Sequence, residues 1–282
     1  MAVPFIVEAG NFGPRITVTG PWVPAIAEYM HREHVDELYL NQGRGWRGST
    51  LSFLETVPAL SSFSILDFRI EDVSAIQSLA TLRALDVSTY CETTIDFSMF
   101  PNLERCVFYW RSGSESLFES SGLRSLFLHR YDGVSSEALS RLTGLEWLSV
   151  ANSDIQEIEY LAILRNLKFL GLYNLRRLTS LRGLQCLTQL DVFELNGCKQ
   201  VNRIDEVSDL VNLRQLQLND DGLIASFAPL RALVALEQIL FYESTDVADG
   251  DLAPLRALPR LRRVSFRNRR HYSHTRDNLL TR

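Results

Sequence analysis

One phrase recurs along the chain and restricts its possible folds more than any other feature: an apolar residue, two of any kind, an apolar residue, one of any kind, an apolar residue. It reads VDELYL from residue 35, then LSSFSI (60), LRALDV (82), LERCVF (103), LRSLFL (123) and LEWLSV (145). It continues as LKFLGL (167), LDVFEL (190), LRQLQL (213), LEQILF (236) and LRRVSF (261), with neighbouring copies starting 20 to 25 residues apart. Self-similarity at such a period marks a stack of small structural units. Alternation within each phrase is the pattern of a short strand with one apolar face. A single copy cannot bury that face alone, and stacking the copies makes one continuous core.

The copy from residue 167 carries the pattern furthest, with Leu167, Leu170, Leu172, Leu175, Leu178, Leu181, Leu184 and Leu187; the copy before it nearly matches, with Ile155, Ile158 and Leu161. These phrases resemble the leucine-rich repeat, L-x-x-L-x-L-x-x-N/C-x-L, in its short class. The resemblance implies an α/β solenoid: a curved right-handed coil with a parallel β-sheet on its concave side and helical or 3₁₀ segments on its convex side. It covers 35–266 in about eleven repeats. Residues 1–34 read as an N-terminal strand–helix cap, with "RITVTG" as the strand and "PWVPAIAEYMHREH" as the helix. Pro in the first turn and a stripe of Trp22, Ile26, Tyr29 and Met30 support that helix. Residues 267–282 read as a basic C-terminal tail.

The chain departs from the pattern at its Asn/Cys position. Cys198 alone matches there; Phe68, Tyr90, Arg111, Tyr131, Ser153, Leu175 and Asp221 fill the other copies. Backbone groups that the usual side chain would satisfy then need other partners, so irregular turns and some disorder are expected in repeats two to five.

The 282 residues are 46% hydrophobic and 22% charged with a net charge of −5, an ordinary composition that names no partner. Four cysteines lie far apart with no CxxC pair, which reads as buried small apolar residues rather than a disulfide framework. The N-terminus lacks a signal-peptide pattern and no stretch has the length of a membrane span. The expectation is a soluble, cytoplasmic monomer.

"ELYLNQGRGWRGSTLSFLE" contains Gly43-x-Gly45-x-x-Gly48 after a strand, and Asp67 follows the next strand. A dinucleotide site asks for these parts. It also needs a crevice where strand order reverses, and a solenoid adds its strands in sequence. The glycines therefore read as a loop insertion in a 25-residue repeat, and no cofactor is expected. His31 and His34 lie three apart but lack a third ligand, and His271 and His274 sit among arginines, so no metal is expected either. No Gly-x-Ser-x-Gly or phosphate-binding loop is present, and nothing supports an enzyme.

What remains is the concave face. The residues between the inward leucines, and those just after them, point to it. Tyr109, Trp110, Phe127, His129, Trp147, Phe169 and Tyr173 come from four adjacent phrases and form an aromatic band, with Arg130 beside it and Glu194 leading a polar flank that includes Gln215, Gln217, Asp220 and Glu243. Exposed apolar patches mark interaction sites, and Trp, Tyr and Arg anchor interfaces. The reading is a non-catalytic protein-binding module: an adaptor, a regulator or an antitoxin-like inhibitor of unspecified partner. A carbohydrate could stack on the same band, and the rings could equally pair only with each other. The alternative is a polyanion or nucleic-acid binder using Arg263, Arg267, Arg269 and Arg270, although the acidic whole argues against nucleic acid.

Overall fold

The computed structural model describes residues 4–133 and 136–280. The chain divides into two compact units, 1–127 and 128–282. The parts of the N-terminal cap, of repeat five and of the C-terminal segment that fall on 1–3, 134–135 and 281–282 lie outside the described residues.

In the first unit, β1 (Phe5–Ala9) and β2 (Pro14–Val18) form an antiparallel hairpin. Helix α1 (Pro24–Glu33) follows and buries Ile26, Ala27 and Met30. Trp22 and Tyr29 stay half-buried; Trp22 stacks on Phe53 at 3.9 Å and Tyr29 meets Phe5 at 4.8 Å. From β2 onward the pairing is parallel, through β3 (Glu37–Asn41), β4 (Ser62–Leu66), β5 (Ala84–Ser88) and β6 (Arg105–Tyr109). Register is one repeat per strand: Leu38 opposes Phe63, Phe63 opposes Leu85 and Leu85 opposes Cys106, all of them buried. The 15 to 20 residues between successive strands must turn, cross and return, and they do so through 3₁₀ turns at Ser52–Thr56, Ser74–Ser78, Phe97–Met99 and Glu115–Glu119. Those turns send Leu54, Ile76, Phe97 and Leu117 inward.

The glycine-rich insertion closes around a tryptophan. Asn41 Oδ1 accepts N–H groups from Gly43 (2.7 Å) and Arg44 (3.3 Å), and Trp46 is fully buried. Gly45 has φ 109°, and a Cβ there would come within 2.6 Å of Thr19 O; one on Gly48 would strike the Trp46 ring. Gly48 makes room for the Trp46 ring, and Gly45 for the close pass of the Thr19 backbone. Asp67, also wholly buried, accepts from Arg69 through Nε (2.9 Å) and Nη2 (2.7 Å).

Strand β7 (Ser125–His129) contains the boundary between the units. The second unit continues with parallel strands β8 (Trp147–Ala151), β9 (Phe169–Tyr173), β10 (Val192–Asn196), β11 (Gln215–Asn219), β13 (Gln238–Tyr242) and β15 (Arg263–Phe266). Two-residue strands β12 (Leu223–Ile224) and β14 (Asp246–Val247) pair on their own. After successive strands, Arg130, Asn152, Asn174, Gly197, Asp220 and Glu243 all adopt the left-handed conformation. Asn152 N donates to Tyr173 O (2.8 Å), Asn174 N to Asn196 O (2.7 Å) and Gly197 N to Asn219 O (2.9 Å). Asn, Asp and Gly tolerate this conformation best.

At the Asn/Cys position of several copies, other side chains supply the missing bonds. Arg111, 4% exposed, donates to the carbonyls of Tyr109 (3.2 Å) and Thr93 (3.2 Å). Ser153 Oγ donates to Tyr131 O (2.6 Å), and Asp221 Oδ1 accepts from Cys198 N (2.9 Å).

Residues 267–280 are no loose tail. Phe241 and Phe266 stack at 4.6 Å, and Tyr272 packs edge-on against both, at 6.3 and 5.8 Å. Ser273 N donates to Gly250 O (2.8 Å), and the helical turn Arg276–Leu279 buries Leu279. These residues cover the apolar side chains of β13 and β15.

Candidate functional site

The residues expected to form one band divide between the two units: Tyr109, Trp110 and Phe127 belong to the first, and His129, Arg130, Trp147, Phe169, Tyr173 and Glu194 to the second. Each group is built from its own strands.

In the first unit the outward row at the strand ends holds an aromatic trio. Phe68 stacks on Tyr90 at 4.4 Å, and Tyr109 meets both, at 6.0 and 5.9 Å. The pattern assigns Phe68 and Tyr90 to the inward Asn/Cys position. Instead Asp67 and Thr89, one residue earlier, turn inward and are buried, and the rings swing out, leaving Tyr90 53% exposed. The signal was present, since a small polar residue precedes each ring. Trp110 lies beyond the end of β6, and its ring rests on the buried Phe118 (5.4 Å) and Phe108 (6.3 Å), not within the strand face. Phe127 is half-buried on β7.

In the second unit Trp147 and Phe169 oppose one another in register and stack at 4.7 Å, 12° from parallel. Leu148 and Leu170 beside them point inward and are fully buried. The same row continues with Val192 and Gln215. In the next rows Tyr173 Oη donates to Glu194 Oε2 (2.5 Å), and Gln217 Nε2 donates to Glu194 Oε1 (2.8 Å). Gly171 makes this reach possible: a Cβ there would lie 2.5 Å from Tyr173 Oη and 2.6 Å from its Cε2, so the ring folds back across the glycine. Burial first, then the Glu194 carboxylate beside it, pushes the Tyr173 hydroxyl well above its ordinary pKa and keeps it a donor. Gly171 belongs to the candidate site without announcing itself in the residue pattern beyond a glycine at an outward position, in "LGL".

His129 meets Asn152 Nδ2 at 2.7 Å, and Asn174 Nδ2 donates onward to Asn152 Oδ1 (3.2 Å). Burial, followed by the charge of Arg130, holds the His129 pKa below its ordinary value. Arg130 is exposed in its left-handed turn.

Of the four C-terminal arginines, Arg263, Arg267 and Arg270 are exposed. Arg269 is engaged: its Nε lies 3.3 Å from Asp246 Oδ1 and its Nη2 donates to Thr245 O (3.2 Å). Of the histidines singled out in the sequence, His31 is bound to Thr56 O (3.2 Å), His271 to Asp246 (3.2 Å) and His274 to Ser273 Oγ (2.9 Å), and His34 is exposed in the left-handed turn that ends α1. Among the described residues no three His, Cys, Asp or Glu side chains are grouped to hold a metal ion, and no helix is long and apolar enough to cross a membrane.

Solved structures similar to this chain include an internalin, InlF, from Listeria monocytogenes, 18% identical over 88% of this chain and 78% of that one, with a TM-score of 0.62. Another is TLR13 in its complex with ssRNA13, 19% identical over 88% of this chain and 41% of that one, with a TM-score of 0.56. No protein-family model and no curated protein sequence matches the chain.

Proposed function

We propose that this chain, a leucine-rich repeat solenoid, is a non-catalytic module that binds another protein through the outward strand face of its second unit. One observation carries the reading: Trp147 and Phe169 are stacked on the side of the sheet away from the core, where burial by this chain alone leaves both half-exposed. Aromatic anchors of this kind dominate binding energy when a partner desolvates them, and the polar row of Tyr173, Glu194 and Gln217 beside them supplies directional bonds. An adaptor, regulator or inhibitor role is the finer form of this proposal, and a cytoplasmic monomer its expected setting.

The test is affinity capture with wild type, Trp147→Glu and Phe169→Glu in parallel. Both variants are expected to stay folded and to lose a partner that the wild type retains, each aromatic contributing about 2 kcal/mol or more. Capture unchanged by either substitution places binding elsewhere. The polyanion alternative predicts capture that weakens steeply with salt and is lost on Arg263→Ala and Arg267→Ala; the engagement of Arg269 with Asp246 counts against it.

A further inference from the structure

We infer that Glu194 and Tyr173 together form a receptor for one basic side chain, an arginine or lysine, of the partner; this rests on the outward face of the second unit being the binding surface. Along β8, β9, β10, β11 and β13 the outward positions carry aromatic, amide, small and aliphatic residues, and Glu194 is the one charged residue among them. The carboxylate sits on the central strand of the five, with Gly171 and Gln217 directly opposite it on either side.

Its partners within the chain are neutral. Tyr173 Oη and Gln217 Nε2 each hold one oxygen, and among the described residues no salt bridge reaches Glu194. Several carboxylates flanking these strands are matched: Glu146 pairs with Lys168, Asp191 and Glu237 with Arg214, and Asp220 with Lys199; Asp221 is buried inside the coil, and Glu243 lies past the end of its strand, exposed to water. A half-buried carboxylate given orientation but no counter-charge is poised for an external cation, because charge-assisted bonds are the stronger ones and grow as water leaves.

The ring of Tyr173, tied to the carboxylate through its hydroxyl, adds a preference of the same sign. Its edge occupies the space over Gly171, so the ring lies back across the sheet beside the carboxylate instead of standing away from it. An aromatic face attracts a cation and gains strength when desolvated. Carboxylate and ring both favour a cation and both disfavour an anion. The Trp147–Phe169 stack, further along the same strands, suits the aliphatic stem of a long basic side chain. A neutral polyol could stack on the rings, but it would leave the carboxylate without a counter-charge as the site closes.

The test is calorimetric titration of acetylated hexa-arginine amide, hexa-citrulline amide and maltohexaose into the full chain. The variants are Glu194→Gln, Gly171→Ala and Glu55→Gln, with folding checked by thermal unfolding. Glu55 is an exposed glutamate of the first unit and controls for loss of one charge anywhere. Hexa-arginine is expected to bind the wild type at least tenfold more tightly than either neutral probe. Glu194→Gln should weaken it at least tenfold and Glu55→Gln by less than twofold. Gly171→Ala should weaken it severalfold with no change of charge, since the new methyl displaces the Tyr173 ring; Tyr173→Leu replaces it should that variant not fold. The inference is overturned if the wild type does not bind hexa-arginine, if Glu194→Gln and Glu55→Gln act alike, if displacing the ring has no effect, or if maltohexaose binds best and survives Glu194→Gln. Any of these outcomes together with loss of capture by Trp147→Glu leaves the binding face intact and removes only its basic anchor.

Discussion

Cys198 N donates to Asp221 Oδ1 across 2.9 Å, from one repeat to the same position of the next, while Asp221 Oδ2 is buried with no hydrogen-bond partner among the described residues. The short repeat places an amide or thiol there. A carboxylate supplies the acceptor but has no donor for its other oxygen, and burial pushes its pKa up to about 7. The folded value lies above the unfolded one. Stability from the protonated form is therefore complete below the ordinary carboxylate range and is lost as pH rises through about 7.

Asp221→Asn keeps the acceptor and puts an NH₂ in place of the orphan oxygen. The variant should gain on the order of 2 kcal/mol over wild type at pH 8 and little at pH 4. Denaturant unfolding of both proteins from pH 4 to 8 checks this. Asp86, raised to about 6 chiefly by burial, tilts both curves alike and cancels in the difference. A difference that does not change with pH would contradict the assignment.

The two faces of one strand make contrasting predictions. Leu148→Glu buries a carboxylate at a position with no exposure and should cost more than 4 kcal/mol, enough to unfold its repeat. Trp147→Glu, next to it but outward, should cost about 1 kcal/mol through the lost stack with Phe169. Chemical denaturation reads both; equal losses would mean that the outward side also serves as core.

The glycine-rich loop should respond as packing, not as a ligand site. Trp46→Ala empties the largest fully buried side chain and should destabilise by about 3–5 kcal/mol. Gly45→Val combines φ 109° with a clash against Thr19 and should cost about 2 kcal/mol or more. Added NAD or NADP should leave the melting temperature of the wild type where it was; a rise lost on Gly45→Val would restore the nucleotide reading.

At the C-terminal end, Tyr272→Ala should destabilise by about 3 kcal/mol, since it uncovers Phe241 and Phe266 and removes the Oη bond to Asp246 (2.9 Å). Tyr272→Phe should cost only about 1 kcal/mol. Thermal unfolding distinguishes them. Removing 267–282 altogether should expose β15 and produce aggregation.

The strands and their inward faces were legible from residue order alone because that information is local. Alternation within six residues and a repeat near 22 placed Leu148, Leu170, Phe193 and Leu216 in the core, and Trp147 and Phe169 outside it. What residue order did not reveal depends on contacts made outside the six-residue phrase. Phe68 and Tyr90 left the coil because Asp67 and Thr89 turned inward one residue early. Trp110 found Phe118 in the return leg of its own repeat. Residues 267–280 folded back because Tyr272 and Leu279 found apolar side chains of β13 and β15 to pack against. Tyr173 reached Glu194 only because the strand position between its own inward neighbours is glycine, and the bond it makes is to the next strand, 21 residues on. A period specifies which way a side chain starts out; where it ends is decided by the space and the partners that stacking brings to it.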